Sequence, residues 1–130
     1  MKEMTYTNER TFNILYFGIH RDIRFWVISY GTHPCVYVDA TKFRAKLGSD
    51  LIYSAPIHPH GGITYDEDNL RNVWDEACDG FEPGKCRIIG WDYAHLGDYD
   101  TFGVISSGKK WTTPELIDDA RQMIDELFEL

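Results

Sequence analysis

Thr11-Phe12-Asn13-Ile14-Leu15-Tyr16-Phe17-Gly18-Ile19-His20-Arg21-Asp22-Ile23-Arg24-Phe25-Trp26-Val27-Ile28-Ser29-Tyr30 is the stretch that decides the fold. Both halves are rich in β-branched and aromatic residues, which suit a pleated, half-buried surface. Three polar residues, His20-Arg21-Asp22, separate them. Two such runs over so short a break read as an antiparallel hairpin. Upstream, residues 1–10 are polar and carry little pattern beyond Thr5-Tyr6-Thr7, which predicts a frayed start or a short edge strand.

Downstream, Gly31-Thr32-His33-Pro34 breaks the pattern and Cys35-Val36-Tyr37-Val38 resumes it as a short strand. Asp39 is placed to cap a helical turn through Leu47, with Gly48 as its stop. Pro56 and Pro59 keep Leu51–Ile57 extended, because a residue before proline is pushed out of helical geometry. Asp66-Glu67-Asp68 precedes Leu70, Val73, Trp74 and Ala77, whose spacing fits a short amphipathic helix with carboxylates at its positive end. Asp79-Gly80 and Pro83-Gly84 read as turns. The run Arg87-Ile88-Ile89-Gly90 has too few polar residues for an exposed edge, which places it inside the sheet.

Thr112-Thr113-Pro114-Glu115 is a capping box with proline near the first helical position. The helix it starts runs to about Phe128. Leu116, Ala120, Met123 and Leu127 form its inner stripe, flanked by Ile117 and Ile124. Glu115, Asp118, Asp119, Gln122, Asp125, Glu126 and Glu129 form an acidic outer face on which Arg121 is the one base. Strands first and a long helix last imply an α+β fold: an antiparallel sheet with an N-terminal hairpin, packed by a C-terminal amphipathic helix and one or two short helices. At 130 residues, with neither repeat nor linker, residues 1–130 read as one domain able to hide roughly two-thirds of its extended surface.

Composition narrows the function classes. Hydrophobic residues make up 43% and aromatics 15%, enough for a packed core with rings left over to face a partner. The net charge of -8 removes the main attraction to phosphate backbones and favours a basic partner over nucleic acid. Neither an apolar leader nor an eighteen-residue apolar run is present, so the expected compartment is the cytosol, without membrane attachment. Cys35, Cys78 and Cys86 are odd in number and form no CxxC, which disfavours a disulfide framework or cysteine-rich zinc site.

Two windows concentrate the groups that coordinate metals or move protons: His58-Pro59-His60-Gly61-Gly62-Ile63-Thr64-Tyr65 and Trp91-Asp92-Tyr93-Ala94-His95-Leu96-Gly97-Asp98. His60, Asp92, His95 and Asp98 are the candidate catalytic residues, and the same four could hold a divalent metal such as zinc, manganese or iron. On a strand Asp92 and His95 point to opposite faces, so a joint site requires the chain to turn after Tyr93. The bland reading makes Asp92 and His95 structural partners in a glycine-rich loop, with no cofactor, and treats Gly61-Gly62 as a turn. A metal-free variant has His60 or His95 acting as acid or base beside a carboxylate.

The segments His60-Gly61-Gly62-Ile63-Thr64-Tyr65 and Gly90-Trp91-Asp92-Tyr93-Ala94-His95-Leu96-Gly97-Asp98 resemble a group of small uncharacterised proteins encoded by bacteriophages and prophages. Those proteins carry an HGG-(I/L)-T-Y segment followed by G-(F/W)-D-x-A-H-x-G-D. His33-Pro34 and the closing acidic helix extend the likeness over roughly residues 31–130. The resemblance implies a mobile-element origin and the cytosol of a bacterial host, and carries no catalytic role with it. Together with the small size and acidity, it leads to the expectation of an accessory protein that binds a host protein with a basic surface, as an inhibitor of a defence or nucleic-acid-processing enzyme would. Asp66, Glu67, Asp68, Asp118, Asp119 and Asp125 are its expected binding residues. The alternative is a metal-dependent hydrolase or lyase built on the His/Asp set.

Overall fold

The computed structural model describes residues 3–5, 11–29, 33–48, 57, 59–67, 86–93 and 109–130. Its frame is the hairpin of β2 (Thr11–His20) and β3 (Ile23–Ser29), with a short strand β1 (Glu3–Thr5) on the outer edge of β2. The connecting turn is two residues, because His20 stays in the ladder opposite Ile23. Arg21 and Asp22 both have positive φ, 52° and 66°. This is the left-handed pair that matches the twist of the flanking strands in the tightest hairpins. One irregularity interrupts the register: Ile14 faces Ile28 while Tyr16 faces Val27, so Leu15 is the extra residue of a bulge.

β4 (Pro34–Asp39) pairs with β3, β6 (Ile88–Asp92) with β4, and β5 (Tyr65–Glu67) with the far side of β6. All pairings are antiparallel and the sheet order is β1-β2-β3-β4-β6-β5, so the fold is α+β and the Ile88-Ile89 strand lies inside the sheet. After β4 a 3₁₀ turn (Thr41–Phe43) leads into the one-turn helix α1 (Arg44–Leu47). Asp39 does hold its start: Oδ1 accepts hydrogen bonds from the Thr41 N–H (3.2 Å) and from Thr41 Oγ1 (2.6 Å).

The acidic segment begins as a strand. Tyr65–Glu67 pairs along the free edge of β6, and Thr64 N already donates to Gly90 O ahead of the ladder. Asp68, the Leu70–Ala77 apolar set, the two turns after it and most of Leu51–Ile57 lie outside the described residues.

α2 (Thr113–Phe128) begins with the full capping box: Thr112 N donates to Glu115 Oε1 (3.0 Å) and Glu115 N to Thr112 Oγ1 (3.4 Å). Its Leu116, Ala120, Met123, Ile124 and Leu127 are buried with Phe25, Val27, Val36, Val38, Ile89 and Trp91 from one face of the sheet. Each of the leucine, isoleucine, valine and methionine side chains, fully removed from water, contributes roughly 1.5–3 kcal/mol before conformational entropy is counted. The other face of the central strands is buried too, through Trp26, Ile28, Cys35, Tyr37 and Ile88. There Gly90 lies opposite both Tyr37 and Tyr65, whose rings meet edge to face at 5.1 Å. A Cβ on Gly90 would come within 2.6 Å of the Tyr37 ring and 2.9 Å of Val36 O, so the close approach requires glycine. Among the described residues the exposed large apolar side chains are Leu15, Phe17 and Ile19, all on β2.

Candidate functional site

Three segments converge beside the middle of α2. Pro59 opens a turn closed by a Gly62 N–H to Pro59 O bond of 2.9 Å, with Gly61 at φ 70° where such a turn needs a left-handed residue. The glycines thus form a turn, and it presents the His60 ring. β6 supplies Trp91 and continues into Tyr93, whose N–H donates to Pro34 O and extends the ladder by one residue. Trp111 stands directly before the helix cap, in the position from which an apolar side chain fixes how the chain enters a helix.

The rings form one cluster. His60 stacks on Tyr93 with centroids 4.7 Å apart and planes 8° from parallel. Trp111 meets His60 nearly edge-on at 5.0 Å and tilts against Tyr93 at 5.1 Å. A hydrogen-bonded chain runs beneath them. Trp91 Nε1–H donates to Tyr93 Oη (3.0 Å), and Tyr93 Oη–H donates to Asp119 Oδ2 (2.7 Å). Trp91 and Tyr93 are each 1% exposed, so both of their polar atoms would be costly to bury without these partners. The chain ends on a half-buried carboxylate and fixes its orientation.

Next to this cluster lies a half-open cavity of about 220 Å³, lined by Pro59, His60, Trp91 and Trp111 on one side and by Asp119, Gln122, Met123 and Glu126 of α2 on the other. Among the described residues no lysine or arginine lines it. Pockets for drug-sized ligands run from about 300 to 1,000 Å³. This cavity is therefore sized for a single side chain or a comparably small molecule.

The remaining carboxylates have varied surroundings. Asp66 accepts two hydrogen bonds from the Arg87 guanidinium, from Nε at 3.0 Å and Nη2 at 2.9 Å, so it fastens β5 to β6 and is not an open binding group. Glu67 is half-buried on β5, opposite Ile88. Asp119 is drawn inward by Tyr93 from the outer face where helical spacing puts it. Asp125 accepts from His20 Nε2 (2.9 Å) and Arg21 Nη1 (3.1 Å), pinning the hairpin turn to α2. Those bonds, His20's first and then Arg21's, hold its carboxyl below the usual aspartate range. Glu115 is likewise held low, chiefly by Lys109, whose ammonium is 2.7 Å away, and then by the Thr112 N–H. Asp118 is exposed, with Arg121 Nη1 at 4.0 Å.

Of the four candidate metal or catalytic residues, His60 lines the cavity and Asp92 alternates with Trp91 onto the opposite face of the sheet, so these two are not brought together. His95 and Asp98 lie outside the described residues, and among the described residues no group of three or more His, Cys, Asp or Glu side chains is arranged to hold a metal ion. No described helix is long and apolar enough to cross a membrane. Trp111, Trp91, Gln122, Met123 and Glu126 are site residues that the candidate set omitted. The available signals were a tryptophan immediately before a capping box and the aromatic excess of the chain. No family model, curated protein or solved structure matches the chain.

Proposed function

We propose that the protein is a small acidic accessory protein of a phage or prophage that works by binding a basic surface of a host protein, blocking a defence or nucleic-acid-processing enzyme as a decoy for its polyanionic ligand. One observation carries the binding reading: α2 contributes Asp119 and Glu126 to the wall of a cavity whose other side is aromatic, with exposed Asp118 on the same helix. Acidic side chains around an aromatic recess combine long-range attraction for a basic partner with a place to anchor it. The net charge of -8 supports the same polarity of partner. The phage or prophage origin is supported by the two motif segments alone.

The test is capture of a partner from bacterial lysate, repeated across salt and with charge reversal at Asp118, Glu126 and Glu129. Asp125 and Asp66 stay untouched because they hold the fold together. Binding should weaken as the screening length shortens from about 10 Å at 0.1 M salt to about 3 Å at 1 M. It should be lost in the triple variant while the melting temperature is kept. A partner retained equally by parent and triple variant, or recovered only at high salt, would dismiss this reading.

A further inference from the structure

We infer that the cavity between α2 and the His60–Trp111 cluster is a receptor for a guanidinium group, and that it takes one arginine side chain of the basic partner. The identity of the partner rests on the binding reading above. The chemistry of the cavity can be tried without it.

The lining fixes the class of ligand. Two carboxylates, Asp119 and Glu126, with no lysine or arginine among the described lining residues, disfavour anions and call for positive charge. Three aromatic rings and the Met123 thioether supply few hard oxygen donors, so a metal ion is poorly served. The same rings offer faces and edges to an organic cation. Carboxylates beside them favour a cation that donates N–H bonds over a quaternary ammonium, which has none to donate. A guanidinium is planar, stacks on aromatic rings and presents its N–H groups as a fork that matches carboxylate oxygens. Tyr93 engages Asp119 through Oδ2, which leaves Oδ1 as the oxygen available to such a fork.

The chain already builds this arrangement for itself at another point on the same helix. The Arg21 guanidinium carbon lies 3.9 Å from the centre of the Phe128 ring while Nη1 donates to Asp125, three residues earlier on α2. Lys109 repeats the recipe with an ammonium, 3.9 Å over Trp111 and paired with Glu115. The cavity supplies rings and carboxylates in the same combination, and no cation of the described chain lines it. Its volume suits one arginine head group with part of its stem, and is too small for a peptide segment.

The experiment is a titration of the intact protein with ethylguanidinium, with tetramethylammonium and acetate as comparison probes. The tryptophan indole N–H signals are followed by NMR, and circular dichroism confirms that the fold persists. Ethylguanidinium should shift the Trp91 and Trp111 signals saturably, with a dissociation constant on the order of millimolar for so small a fragment. Tetramethylammonium should bind at least about tenfold more weakly, which corresponds to the loss of charge-assisted hydrogen bonds. Glu126→Gln, an exposed substitution, should weaken ethylguanidinium about tenfold, and Asp119→Asn should do the same if its melting temperature is retained. No saturable shift with ethylguanidinium, equal affinity for tetramethylammonium, or indifference of binding to Glu126→Gln overturns the assignment. A saturable, Glu126-dependent site combined with partner capture that ignores the triple charge reversal would instead overturn the partner reading and leave the guanidinium site standing.

Discussion

Removing the hydroxyl of Tyr93 isolates the chain that supports the cavity. In Tyr93→Phe the ring remains, and with it the stack on His60, so no cavity term enters. Two losses follow. The Trp91 indole N–H, on a residue 1% exposed, no longer has its acceptor, which costs about 1–3 kcal/mol. Asp119 loses a donor at 2.7 Å, and since water can reach this half-buried carboxylate the loss is closer to about 1 kcal/mol. The variant should therefore be destabilised by about 2–4 kcal/mol in urea unfolding with an unchanged slope, and melt about 10 °C lower. A double-mutant cycle with Asp119→Ala divides the total: a coupling of about 1 kcal/mol belongs to the Tyr93–Asp119 bond and the remainder to Trp91. A loss below about 0.5 kcal/mol would refute the reasoning, since it would mean that the indole N–H finds another acceptor and the hydroxyl orders nothing.

Two further outcomes follow from the geometry. Gly90→Ala should cost about 1–3 kcal/mol by urea unfolding, because one of the atoms its methyl meets is the Val36 carbonyl oxygen in the neighbouring strand, which cannot swing aside; a neutral result would show that the Tyr37 and Tyr65 rings and the β4–β6 ladder shift freely. Stability should fall on acidification. Asp125 and Glu115 have folded-state pKa values below their ordinary 3.8 and 4.5, so their contribution is fully present above those values and is lost as pH drops through the depressed ones. Asp125→Asn with Glu115→Gln should flatten the melting-temperature profile below about pH 5. An unchanged acid slope in that variant would assign acid sensitivity to other carboxylates.

What was legible in the chain was what neighbouring residues decide among themselves. The β2–β3 hairpin follows from two β-rich runs with a polar break, and the start of α2 from Thr112 and Glu115 three positions apart. Alternation and helical spacing also assigned the inner stripe Leu116, Ala120, Met123 and Leu127. β5 was not legible because Asp66 and Glu67 carry no strand preference; the edge of β6 and the Arg87 guanidinium make them a strand. The site was less legible for a related reason. His60, Tyr93, Trp111 and Asp119 come from four separate stretches, and periodicity can say which face of a helix Asp119 occupies without saying that a tyrosine hydroxyl waits above it. His60 drew notice as a metal or proton-transfer candidate, while its ring geometry is that of a stacking partner.

The pin between the hairpin turn and α2 joins His20 and Arg21 to a carboxylate more than a hundred residues later. A ribosome therefore delivers the receptor face of the sheet long before the helix that covers it. Phe25, Val27, Val36 and Val38 have no α2 to pack against until Leu116–Leu127 has been made, and closing so long a loop places the final step among the slower events of small-domain folding. Nascent chains thus carry an uncovered apolar sheet, the kind of surface that recruits chaperones or other unfinished copies. The locally encoded cap at Thr112 lets α2 form a helix as soon as it emerges, which shortens the interval in which that surface is exposed.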